Sequence, residues 1–131
     1  MTNKKYGDKT AKELDNYMKN YKIPQWPNYF GKMAPVIDFA RNYATMYKKG
    51  LKESDQFFHC KANYEATTRG TYGENVARKL SNMRENFDRY IKGDDLQSSL
   101  KDQRTNARGR TGAKQGKSLR ETCPTHHSKY K

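Results

Sequence analysis

Residues 73–93 read GENVARKLSNMRENFDRYIKG, and within them Val76, Leu80, Met83, Phe87 and Tyr90 recur every three or four positions. That spacing sets five large apolar side chains on one stripe of an α-helix. It is the cleanest such row in the chain, and it predicts an amphipathic helix whose stripe faces a core and which Gly93 closes. Weaker rows lie on either side. Leu14, Tyr17, Met18 and Tyr21 predict a first helix from Thr10, after which Pro24 and Pro27 break the chain. Trp26, between the two prolines, is expected to plug the core. Met33, Val36, Ile37, Ala40, Tyr43, Ala44 and Tyr47 mark a second helix starting near Ala34, with Pro35 tolerated in its first turn and Gly50 as its stop. Ser54 or Asp55 caps a third that runs to Arg69. Asp94 or Asp95 caps a fifth, which carries Leu96, Leu100 and Ala107 inward until Gly109. No alternating strand pattern and no internal repeat occur.

The expected fold class is therefore all-α, a compact bundle of about five helices with a basic, irregular C-terminal arm. With 131 residues the chain is expected to form a single helical domain over 1–131. Within it, residues 1–9 are a frayed N-terminus, 10–108 the helical core and 109–131 the arm. Hydrophobic residues make up only 33%, so the core must be thin and must draw on the Tyr 10, Phe 5 and Trp 1 of the composition. No run approaches the roughly 18 apolar residues of a membrane span, and the lysine-rich start lacks an apolar secretory core. A soluble protein is expected, with export by some route other than a signal peptide of its own.

The net charge of +13 is unevenly placed: residues 1–50 carry +6, residues 51–100 sum to zero, and residues 101–131 carry +7. Such basic ends attract polyanions over about 10 Å at moderate salt. Nucleic acid, anionic lipid headgroups and bacterial wall polymers all qualify.

Several motifs are tested and set aside. GRTGAKQGKS at 109–118 resembles a phosphate loop, yet the first glycine that loop needs is Thr111, and no strand precedes it. His126, His127 and Cys123 lack the paired close spacings of a zinc site, even with His59 or Cys60. The sequence thus calls for no metal and no cofactor. Cys60 and Cys123 either bond to each other or stay as free thiols.

The third helix is more informative. Phe58, Ala62, Glu65, Ala66 and Arg69 share one side, with His59 and Asn63 at its border. A carboxylate on a core-facing stripe must pair with a cation or have its pKa raised. Glu65 therefore reads either as a structural ion pair, with Arg69 or Arg84, or as a functional acid. On the fourth helix Arg84 and Asp88 border the apolar stripe and Glu85 points away from it, as a solvated side chain would. Asp102, Asn106 and Arg110 line up on the fifth.

Three stretches carry a resemblance: HCKANYEATTRGTYG at 59–73, LSNMRENFDRYIKGD at 80–94 and SLKDQRTNARGR at 99–110, followed by the lone Cys123. Their order and spacing resemble the C-terminal toxin-type domains of bacterial Rhs and type VI secretion proteins, over about residues 57–123. Tyr64 and the region of Leu119 depart from that family's pattern, which has further cysteines there. If those cysteines pair with each other in the family, the resemblance implies a Cys60–Cys123 disulfide here and an oxidising compartment.

The resemblance implies a secreted antibacterial effector delivered into a target cell, with the periplasm favoured, and held in check by a cognate immunity protein. The expected activity is a hydrolase acting on the cell envelope, with peptidoglycan as first substrate. Glu65 would be the acid and Asp102 or Glu85 its partner carboxylate, as glycoside cleavage requires. His59, Asn63, Arg84, Asp88, Asn106 and Arg110 would orient and bind the substrate. The alternative is a nuclease or nucleic-acid-binding toxin with His59 as acid or base. A non-enzymatic membrane-active or structural binding protein ranks third, because the helices read as core-forming.

Overall fold

The computed structural model describes residues 2–130, with side chains from Lys9 onward. Its elements are α1 (Thr2–Tyr17), a 3-10 turn (Asn28–Met33), α2 (Ala34–Lys49), α3 (Asp55–Thr67), α4 (Thr71–Tyr90), α5 (Leu96–Lys114), α6 (Leu119–Thr122) and a closing 3-10 turn (His127–Tyr130). The fold is an all-α bundle, and no strand occurs among the described residues. Helix α1 begins at Thr2, ahead of the expected start at Thr10, so the backbone of residues 2–9 is helical where fraying was expected.

Local signals set most of the boundaries. Pro35 sits in the first turn of α2, and Gly50 ends that helix at φ 56, a left-handed conformation that glycine adopts at little cost. Asp95 caps α5, its carboxylate accepting from the Ser98 N–H at 2.8 Å.

Helix α3 is the axis of the molecule. Every residue from Gln56 to Thr67 is buried, because α2, α4, α5 and the C-terminal segment enclose it. One apolar cluster joins Leu14 and Met18 of the first segment with Met46, Phe57, Phe58, Leu119 and Tyr130. A smaller one joins Phe39, Ala62, Ala66 and Ala77.

Two expectations are corrected here. Only part of the stripe of α4 meets the core: Leu80 packs against the smaller cluster, whereas Met83, Phe87 and Tyr90 are 65%, 49% and 72% exposed, and Ile91 beside them 71%. The buried face is Gly73, Ala77, Ser81, Glu85 and Asp88, about a third of a turn away. Small residues let α4 lie close on α3. A Cβ on Gly73 would stand 2.0 Å from the Ala66 carbonyl oxygen, so no large side chain fits between the helices. In α5, Leu96 and Leu100 are likewise exposed, Ala107 is half-buried, and Ser99, Thr105, Asn106 and Gly109 are buried.

Residues 109–131 are not a loose arm either. Helix α5 continues through Gly109 to Lys114, and Leu119, Cys123 and Tyr130 then pack into the core. Gly109 lies where α5 crosses α3, and a Cβ there would stand 2.3 Å from the Cys60 carbonyl oxygen. It is a contact residue and not a helix stop.

Candidate functional site

The polar side chains singled out in the sequence are gathered by α3 into separate groups on its different sides. Glu65 is fully buried and faces the first two helical segments. Its Oε1 accepts from Asn42 Nδ2 at 2.6 Å, and its Oε2 from Lys61 Nζ and Arg41 Nη2, both at 3.1 Å. The Tyr21 hydroxyl donates to Oε2 at 2.5 Å. Lys61 also donates to Asn42 Oδ1 at 3.0 Å, and its ammonium lies 5.0 Å from the centre of the Tyr21 ring. Burial pulls the Lys61 pKa below its ordinary value, against the pull of Glu65. Burial and the Glu65 charge together push the Tyr21 hydroxyl well above the usual tyrosine range.

Asn63, Asn106 and Arg110 meet on another side, with Ser81. Asn63 Nδ2 donates to Asn106 Oδ1 at 3.1 Å, and its Oδ1 accepts from Arg110 Nη1 at 2.8 Å and Ser81 Oγ at 3.0 Å. This network ties α3, α4 and α5 together and leaves Asn63 with its amide bonds filled.

His59, Glu85 and Asp102 form a third group, one residue from each of those same helices, with ligand-type atoms all within 4.8 Å of one another. Nδ1 of His59 lies 3.0 Å from the Tyr43 hydroxyl, Ser99 Oγ donates to Glu85 Oε1 at 3.4 Å, and Gln56 Nε2 donates to Asp102 Oδ1 at 2.7 Å. Burial first, then the Asp102 carboxylate, pushes the Glu85 pKa up to about 8. Burial lowers that of His59, opposed by Asp102. Glu85 is thus an interior residue, 2% exposed, and not the solvated one its helical position suggested.

Arg84 is half-buried beside Asp88, which is itself buried. Arg84 Nε pairs with Asp88 at 3.3 Å, and its guanidinium stacks 4.9 Å from the Tyr43 ring and bonds the Tyr47 hydroxyl. Arg69, an expected partner of Glu65, instead pairs with Asp38 at 2.9 Å, and Trp26 Nε1 donates to that carboxylate at 2.9 Å. Arg41, Asn42, Lys61 and Asp38 were not picked out from sequence. Lys61, four residues before Glu65 on one helix face, was the available signal.

Glu65 therefore does not share a cleft with Asp102 or Glu85; its carboxylate is enclosed and fully paired. A surface cleft of about 390 Å³ is lined by Met18, Tyr21, Ile23, Tyr64 and Leu119, and none of the expected catalytic residues lines it. Cys60 and Cys123 are joined in a disulfide across 63 residues of chain, with Cα atoms 5.6 Å apart.

The structure is thus a small disulfide-bonded helical bundle with large apolar side chains exposed, in which the acid and partner carboxylates expected of the hydrolase are not brought to one cleft. Comparison with known proteins agrees. The profile of the family described as serum amyloid A protein matches residues 28–127, and the chain belongs to that family. It is 33% identical to serum amyloid A protein of Bos taurus over 97 residues, covering 67% of this chain and 75% of the relative. It is 34% identical to serum amyloid A-2 protein of Sus scrofa over 96 residues, covering 67% and 74%. Against serum amyloid A-2 protein of Mus musculus it is 37% identical over 75 residues, 57% of this chain and under two thirds, 61%, of the relative.

This membership overturns the resemblance to Rhs and type VI toxin domains, which rested on motif order over residues 57–123. With it go the antibacterial effector, the envelope hydrolase, the nuclease and the cognate immunity protein. Peptidoglycan and nucleic acid go as partners. The matching relatives are secreted proteins of animals, so the secreted reading stands and delivery into a bacterial periplasm is withdrawn.

Proposed function

We propose that this chain binds phospholipid surfaces, as an apolipoprotein does, through the outward face of α4 and the adjoining side of α2. The observation that carries the reading is the exposure of the α4 row Met83, Phe87, Tyr90 and Ile91. Apolar side chains grouped on one outer face cost free energy in water and are relieved by an apolar phase. On α2, whose N-terminal end carries Met33, Tyr47 is also exposed and is bonded to Arg84, which links it to the α4 row. Lys79 and Arg84 border the row on either side within a quarter turn, as cations do beside an apolar helix face that lies in a membrane interface. Among the described residues no helix is long and apolar enough to cross a bilayer, so binding is at the surface. Membership in a family of acute-phase apolipoproteins supports the same reading.

Vesicle flotation tests it. Phosphatidylcholine vesicles, with and without phosphatidylserine, should carry the protein upward, more so with the anionic lipid. Met83→Ser with Phe87→Ser should weaken binding about tenfold or more, because each removes roughly 1.5 kcal/mol or more of transferable apolar surface. Unchanged flotation of that double variant would refute the assigned face. Both residues are exposed, so the fold should stay intact by circular dichroism.

A further inference from the structure

We propose that His59, Glu85 and Asp102 form a binding site for a single divalent transition-metal ion of the zinc class, buried between α3, α4 and α5. Three helices each bring one candidate ligand to the same place, with their atoms within 4.8 Å of one another. Ligands on a tetrahedral zinc at about 2.1 Å stand roughly 3.4 Å apart, so side-chain adjustment of an ångström or so closes the set. One imidazole nitrogen and two carboxylates suit a first-row ion, and a fourth position remains for water.

The surroundings support a ligand at this place. Each candidate is held by a partner at one atom: His59 Nδ1 by the Tyr43 hydroxyl, Glu85 Oε1 by Ser99 and Asp102 Oδ1 by Gln56. Partners of this kind orient the side chains of metal ligands. Glu85 Oε2 is buried and has no hydrogen-bond partner, in a side chain only 2% exposed. Neither Glu85 nor Asp102 makes an ion pair among the described residues, while the nearby Arg84 is engaged with Asp88 and Tyr47. Two neighbouring carboxyl groups cannot both be charged there without a cation, and a divalent ion that displaces the proton between them would satisfy both. Asp102 is partly exposed and gives the ion a way in.

The experiment is zinc titration of the whole, disulfide-intact protein after chelator treatment, read by calorimetry and by thermal unfolding. Cobalt substitution supplies a visible absorption band that reports bound nitrogen and oxygen ligands. The expected result is one ion per chain, a raised Tm, and at least tenfold weaker binding in Glu85→Gln and in Asp102→Asn. A His126→Ala, His127→Ala variant should bind as the parent does, since those histidines lie elsewhere. Absence of binding at millimolar zinc leaves the two carboxyl groups as a proton-sharing contact and overturns the proposal. So does binding that survives both Glu85→Gln and Asp102→Asn but is lost with the surface histidines. Glu85→Gln removes a like charge and keeps the side chain's shape, so it should fold. If it melts early, Asp102→Asn and the cobalt band of the parent decide the matter.

Discussion

Lys61 and Glu65 are both fully buried on one turn of α3, yet their surroundings are unequal. Glu65 has two cations, Arg41 and Lys61, besides Asn42 and Tyr21, whereas among the described residues Lys61 has Glu65 as its single ion-pair partner. Removing one member of a buried pair leaves the other charge stranded, at a cost of about 3–5 kcal/mol. Glu65→Gln should therefore destabilise the fold by about that amount, since it strands an ammonium that has no other carboxylate. Lys61→Met should cost clearly less, because Arg41 still neutralises Glu65. Urea unfolding of both variants checks the order, and equal losses would contradict the asymmetry. From sequence, burial of the Glu65 carboxylate was legible, because its helical phase matched that of Phe58, Ala62 and Ala66. Its partners were not. Arg41 and Asn42 lie on a different helix, and nothing in local spacing says which helix packs opposite.

At the scale of elements, periodicity located the helices but did not orient α4 and α5. A row of large apolar residues and a row of small or polar ones can run along the same helix. Hydropathy marks the first, whereas steric closeness selects the second. In α4 the close row is Gly73, Ala77 and Ser81; in α5 it is Ser99, Thr105 and Gly109. The signal available in the sequence was the glycine and alanine spacing, which reads as helix–helix contact only once a neighbour is known. Gly109 makes the point measurable. A methyl group there meets the Cys60 carbonyl, which is main chain and cannot turn aside. Gly109→Ala should cost about 3 kcal/mol or more by overpacking, despite alanine's better helix propensity. A variant that melts at or above the parent temperature would show that α3 and α5 can separate at no cost.

For the molecule as a whole, the same steric selection leaves polar networks inside and large apolar side chains outside, the face that the proposed lipid binding would use. The basic C-terminal segment, expected as an irregular arm that a bonded Cys123 would tie down, is drawn onto α3 by Leu119, Tyr130 and the Cys60–Cys123 bond. A bridge across 63 residues contributes about 4 kcal/mol in the loop-entropy description. Reductant should thus lower Tm markedly, and an unchanged melting curve would deny the bond a stabilising part. That bond also has a topological consequence. All of α4, α5 and the turn between them lies inside the covalent ring it closes, so a single break in the main chain anywhere from residue 61 to 122 releases nothing. Trypsin acting at Lys92, in the exposed turn before Gly93, should give a nicked protein that still migrates as one species, and two fragments should separate only once the thiols are freed.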